Sequence, residues 1–210
     1  MKLWMLGFLF LFVAAPASAG IFVKQTDAKG RFVHLRLDGD IVRADVGSLE
    51  KILQTIPPSI DVIDIELRSS GGDVLSAMQI GELIRRRWIW TVADDDEGAE
   101  CASACVLILA AGAVRIASDG SNVIIHRPYF APEYFAKLQK DQAQVQYAKL
   151  ARAVHDYLDH MGMSPALFDE MLRVPSDNGR KLSEQELVDL NLEGRDPSYD
   201  EWIKAKNRRQ

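Results

Sequence analysis

Apolar residues recur along this chain at two spacings. Alternation at Val33, Leu35 and Leu37, and again at Ile63, Ile65 and Leu67, predicts strands over 31–37 and around 63–67. A further short strand over 21–24 precedes an Asp27-Ala28-Lys29-Gly30 turn. Helical spacing over 46–56 stops at Pro57-Pro58 and resumes over 77–87, before a strand over 88–93. The buried run Val106–Ala111 reads as a helix stopped by Gly112, although a run this short is also compatible with a strand. An Ala-Val-Arg-Ile strand and a Val-Ile-Ile strand follow it. Beyond Pro128, Phe135, Leu138, Val145, Ala148, Val154, Leu158 and Met161 recur at mostly three- and four-residue intervals, which predicts one long amphipathic helix over 132–161. Ser164-Pro165 opens a short helix to Leu172, and Ser183-Glu184-Gln185-Glu186 is a capping box for another that ends at Asn191. Strands and helices alternate, so the expected class is α/β with a parallel sheet covered by helices.

The two ends read differently. Met1-Lys2, the apolar segment Leu3–Val13 and Ala17-Ser18-Ala19 describe a signal peptide over 1–19, cleaved after Ala19. Its apolar core is short of the roughly 20 residues of a spanning helix. Export is therefore expected, and in a bacterium the address is the periplasm. One domain over 20–195 is then expected, followed by a loosely packed polar tail over 196–210.

The 25 basic and 30 acidic residues give a net charge of −5, or −6 once Lys2 leaves with the signal. Charges are interspersed, without the clustered basic face that nucleic acid demands, so no nucleic-acid partner is expected. The acidic run Asp94-Asp95-Asp96-Glu97 lacks the alternate spacing of a calcium loop and reads as solvated.

Candidate chemistry concentrates between Glu100 and Pro128. Ser103 lies among the small residues Ala102 and Ala104 at the mouth of the apolar run, and His126 closes the Val-Ile-Ile run. A serine there is most often a helix N-cap. At a helix N-terminus it would also face free N–H groups and the positive end of the dipole, which suits a nucleophile. Upstream, Ser69-Ser70-Gly71-Gly72-Asp73 turns a strand into a helix, and paired glycines let a main-chain N–H face a cleft. The two cysteines, Cys101 and Cys105, flank Ser103. Residues four apart on a regular helix are too distant at Cβ for a disulfide, so a bridge requires Cys101 to lie in the turn before the helix; two buried thiols are the alternative. A zinc site would need a third ligand, and none is expected.

Ser-Ser-Gly-Gly-Asp-Val, Ala-Ser-Ala before an apolar helix, and Ile-Ile-His-Arg-Pro together resemble the signature blocks of the Clp-type serine peptidases within the ClpP/crotonase superfamily. The resemblance runs from about Arg31 to Leu192. It implies a crotonase-like fold of repeated β-β-α units with a long protruding helix. It also implies Ser103 as nucleophile, His126 as general base, and the N–H groups of Gly72 and Ala104 as the oxyanion hole. An acid is expected just before Leu182-Ser183; the nearest, Asp177, stands two residues upstream of the family position, with Asn178 and a bare Ser–His dyad as alternatives. The helix over 132–161 corresponds to the family's oligomerisation handle, which implies a homo-oligomer.

The expected function is ATP-independent hydrolysis of peptide bonds in short or unfolded substrates, with no cofactor and no ATP-dependent unfoldase. A non-catalytic binding or scaffold protein is the alternative. An acyl-CoA enzyme of the crotonase branch would need no Ser–His pair and would not meet CoA after export.

Overall fold

The computed structural model describes residues 20–27, 30–117, 120–129 and 138–208. The proposed signal segment lies outside the described residues, as does the part of the predicted long helix over 132–137. The strands are β1 (Gly20–Thr26), β2 (Phe32–Asp38), β3 (Val62–Arg68), β4 (Trp90–Ala93), β5 (Cys101–Ala102), β6 (Val114–Ala117), β7 (Val123–Ile125), β8 (Arg180–Lys181) and β9 (Gly194–Arg195). The helices are α1 (Arg43–Thr55), α2 (Val74–Arg86), α3 (Ala104–Ala110), α4 (Lys140–His160), α5 (Pro165–Arg173), α6 (Glu184–Asp189) and α7 (Pro197–Asn207). Among the described residues no helix is long and apolar enough to cross a membrane.

The molecule is α/β with mixed sheets. Strands β2, β3, β4 and β6 pair in parallel, while β1 and β9 close the two edges antiparallel, in the order β1-β2-β3-β4-β6-β9. A second sheet, β5-β7-β8, carries the candidate site. The alternation read from the sequence decides which face is which. Leu35, Leu37, Ile65 and Leu67 are fully buried in the core with Leu49 and Leu53 of α1 and Ile80 and Ile84 of α2. The intervening residues form a cross-strand ladder on the other face, His34 to Asp64 at 2.7 Å and Arg36 to Glu66 at 2.8 Å. This face holds paired charges in place of the second apolar layer usual for a parallel sheet.

Local chemistry sets several boundaries. Helix α2 begins earlier than its apolar spacing suggests because Asp73 caps it, accepting from the Ser76 N–H at 2.8 Å. Strand β4 begins later than predicted because Trp88 adopts φ 54° at the end of α2, and the Ile89 N–H returns to the Ile84 carbonyl. Asn191 ends α6 in the left-handed region, φ 62°. Helix α4 begins at Lys140, and residues 138–139 precede it outside helical structure.

The C-terminal end differs from the polar tail predicted for 196–210. Asp196 caps α7, whose Tyr199 is buried and accepts a hydrogen bond from Trp90 Nε1 at 3.1 Å. Trp88, Tyr199 and Trp202 pack with ring centroids 5.6–5.8 Å apart. The sequence shows a polar stretch because only two of its side chains, Tyr199 and Trp202, carry this contact, and their partners Trp88 and Trp90 lie about a hundred residues upstream.

Candidate active site

Strand pairing brings Ser103 and His126 to one edge. Strands β5 and β7 are parallel with Cys101 opposite Val123 and Ala102 opposite Ile124, so both chains leave the sheet on the same side. Ser103 follows immediately, its N–H bonded to the Ile124 carbonyl at 2.9 Å, and His126 leaves the end of β7. On the other flank of β5, Ser69 bridges to Cys101, which carries the Ser69–Asp73 turn to the same edge.

Ser103 occupies the N-cap position of α3 without capping it: its side chain makes no cap hydrogen bond, and its backbone stands at φ 57°, ψ −121°. A non-glycine residue in this region costs about 1–3 kcal/mol. The conformation turns the hydroxyl away from the helix and toward Gly71. A Cβ at Gly71 would stand 2.7 Å from Ser103 Cβ and 3.1 Å from its Oγ. Only a glycine, here at φ 113°, lets the turn pass the serine so closely. Ser69 Oγ sets that turn, accepting from the Gly71 N–H at 3.1 Å.

Two main-chain donors belong to residues that line the same cleft as the serine. Gly72 lies opposite Ile41 in a parallel bridge, in which Ile41 bonds to the peptides on either side of it: Ile41 N–H to the Gly71 carbonyl, Asp73 N–H to the Ile41 carbonyl. The Gly72 N–H therefore points to the opposite side. A Cβ at Gly72 would meet the Ile41 carbonyl at 2.3 Å, so the position is closed to other residues. Ala104, the first residue of α3, has an N–H with no intrahelical acceptor. Gly72, Ser103, Ala104 and His126 all line one cleft of about 590 Å³. Its apolar floor is formed by Leu107, Leu150, Val154 and Met171, and Asp40 and Asp73 stand at its mouth.

His126 Nδ1 lies 2.8 Å from its neighbour's carbonyl, Arg127 O. A carbonyl only accepts, so the neutral imidazole carries its proton on Nδ1 and its lone pair on Nε2. The Arg127 backbone is itself held by its N–H to the Val174 carbonyl at 2.9 Å. Tyr129 packs on the imidazole at 5.5 Å. Ser103 and His126 are not hydrogen-bonded to each other; both open on the cleft.

Asp177 does not join them. It is exposed in the turn before β8, makes no hydrogen bond to His126 and does not line the cleft; Asn178 beside it is exposed too. The cause is register. Strands β7 and β8 pair Ile125 with Arg180, so the position opposite His126 is Gly179, where a Cβ would meet Ile124 Cγ2 at 2.6 Å. Among the described residues the imidazole is oriented by a backbone carbonyl in place of a carboxylate. No residue type marks such a carbonyl in the sequence. The cleft floor is equally silent there, since apart from Leu107 it comes from α4 and α5, far along the chain.

Cys101 and Cys105 form a disulfide with Cα atoms 5.2 Å apart. Cys101 is in β5, not on the helix, which gives the reach a regular helix denies. With the sulfurs joined, neither is a thiolate ligand.

The acidic run divides. Asp95, Asp96 and Glu97 are exposed, but Asp94 is buried beside Arg36 and Arg68. The carboxylates of Glu66, Asp94 and Asp96 lie within 4.8 Å of one another. Lys24, Arg36 and Arg68 pair with the same carboxylates, so the charge a cation would meet is already matched. Burial and then Glu66 push the Asp94 carboxyl up. Burial also works against the Glu66 charge, but the hydrogen bonds from Arg36, Lys24 and Asp94 win and hold it at about 2. This is an ion-pair network within the sheet face.

Neither the protein-family models nor the curated proteins searched contain a match to this chain.

Proposed function

We propose that this protein is an exported serine hydrolase that cleaves peptide bonds with a Ser103–His126 dyad on a crotonase-like fold. The observation that carries the reading is the conformation of Ser103. An ordinary N-cap serine would bond its own helix, whereas this hydroxyl is turned into a cleft that also holds an imidazole with a free Nε2 lone pair.

In the proposed reaction Ser103 Oγ attacks the carbonyl carbon as His126 Nε2 takes its proton. The negative oxygen is met by the Gly72 and Ala104 N–H groups, aided by the dipole of α3. The imidazolium gives its proton to the leaving amine, which departs and leaves an ester on Ser103. Water then attacks that ester, with His126 taking one of its protons and returning it to Ser103 as the carboxylic acid leaves and ionises to solvent. The Arg127 carbonyl holds the tautomer through both halves.

The apolar floor and open mouth suit extended or unfolded peptide, and no ATP-dependent partner is needed for that substrate. The first turns of α4 carry no buried residue before Leu150 and leave Val145 half exposed, which supports the reading of this helix as a handle between copies.

Labelling of the mature protein with a fluorophosphonate tests the chemistry. Wild type is expected to label, and Ser103→Ala and His126→Ala to lose the label. The absence of a carboxylate on His126 favours one second reading, a non-catalytic peptide-binding protein that keeps the cleft. Peptide binding without labelling would establish it.

A further inference from the structure

The disulfide encloses the proposed nucleophile. Cys101 is the first residue of β5 and Cys105 the second of α3, and the three residues between them are Ala102, Ser103 and Ala104. The bridge thus joins the strand that delivers the serine to the helix that supplies one oxyanion donor. Both cysteines are fully buried, at 1% and 0% exposure, so the bridge faces the core and not the cleft.

Three main-chain bonds hold this corner: Ala102 N–H to the Ser69 carbonyl, Ser103 N–H to the Ile124 carbonyl, and Val106 N–H to the Ser103 carbonyl. Only the last reaches the peptide between Ser103 and Ala104, through its carbonyl and from within the first turn of α3 itself; the N–H of that peptide is the proposed donor. At φ 57° Ser103 is outside the region a non-glycine residue prefers. Relaxation to negative φ would rotate that peptide and swing the Ala104 N–H away from the Gly72 N–H. A closed ring with its Cα anchors 5.2 Å apart opposes that rotation. A ring so short removes little chain entropy, so its contribution is to local geometry more than to global stability.

We propose that the Cys101–Cys105 disulfide is a positioning device that sets the Ser103 elbow and the Ala104 oxyanion donor, so that the hydrolase becomes competent only when this pair is oxidised. The inference rests on the hydrolase reading. Oxidation joins the two sulfurs with loss of two protons and two electrons; a disulfide-bearing oxidant, protein or glutathione, accepts both and becomes two thiols. Such oxidants act outside the reducing cytosol. The chain is then latent where it is made and active where it is sent.

The test compares three samples of the mature full-length chain: the oxidised protein, the same protein reduced during unfolding and refolded under a thiol reductant, and the Cys101→Ala/Cys105→Ala double variant. Each is followed by circular dichroism, fluorophosphonate labelling rate, and kcat and KM on a peptide found to be cleaved by the oxidised form. The expected result is a retained fold in all three, with labelling and kcat lower by roughly 100- to 1000-fold in the reduced and variant forms, the order of losing one oxyanion donor. KM should change little, because the donor acts in the transition state. Oxidised glutathione should restore the reduced protein and leave the variant slow. Equal labelling in all three, abolished by Ser103→Ala, overturns this inference and leaves the hydrolase reading standing. A reduced form that does not refold also overturns it, making the bridge a folding staple. No labelling in any sample overturns both.

Discussion

At the scale of the residue, the site depends on positions where no side chain fits. Gly71 is the sharpest case. Alanine there would place its Cβ 2.7 Å from Ser103 Cβ and 3.0 Å from the Ala102 carbonyl, at a φ of 113°. The backbone strain alone is about 1–3 kcal/mol, and the collision can be relieved only by moving the serine. Gly71→Ala is therefore expected to lose labelling at temperatures where circular dichroism still reports a folded protein, with a lowered melting temperature. The Gly-Gly turn, Ser103 and His126 were all legible in the sequence, not one by one, since a serine there is most often a cap, but because three short blocks single them out together. The missing carboxylate was not. Asp177 lies only two residues from the position opposite His126, but a two-residue displacement in an antiparallel pair carries a side chain out along the turn, and nothing short of the β7–β8 register reveals it.

At the scale of the element, α3 is short, wholly buried and held mostly from its carbonyl end. Tyr157 of α4 donates its hydroxyl to the Leu107 carbonyl at 2.8 Å, and Thr91 of β4 donates to Leu109 at 2.8 Å. Arg85 of α2 reaches the Ala110 carbonyl, and Arg115 of β6 donates to Gly112 at 3.0 Å. Two guanidinium groups at the negative end of the helix dipole favour its orientation, with the positive end toward the proposed oxyanion. Tyr157 also fits over Gly81, where an added Cβ would strike its hydroxyl. Burial pushes the phenol pKa far up, so it serves only as a neutral hydrogen-bond donor. Tyr157→Phe should leave the buried Leu107 carbonyl unpaired and lower stability by about 1–3 kcal/mol in denaturant titration. Below its melting temperature the variant should still label, since Tyr157 does not itself line the cleft. Periodicity found α3 and the strands around it, since those signals are local. It could not show that four elements meet at the end of α3, because each contributes one side chain and no spacing links them.

At the scale of the whole molecule, the last helix is tied to the interior through Asp196. Its carboxylate pairs with Arg85, which also donates to the Met161 carbonyl at 3.0 Å, so one ion pair ties α7, α2 and the end of α4. Arg115 lies close behind, its pKa held down to about 10 by burial and then by the Arg85 charge. Asp196 is the carboxylate that offsets both cations. Burial works against its charged form, but the Arg85 hydrogen bond and charge and the Ser198 N–H outweigh it and hold its pKa below the ordinary value. A carboxyl with a lowered folded pKa contributes its full stability above the unfolded value of about 3.9, and loses it as pH falls through the folded one. Asp196→Asn should therefore cost about 3 kcal/mol at neutral pH, the lower end for breaking a buried pair, because two arginines lose their counter-charge. The gap between wild type and variant should narrow as pH falls below about 4, when wild type loses the same charge. Chemical denaturation at pH 7 and at pH 3 measures both. A gap that stays constant with pH would place the effect in packing, and a gap near zero at pH 7 would show that α7 is dispensable to the fold, as a solvated tail would be.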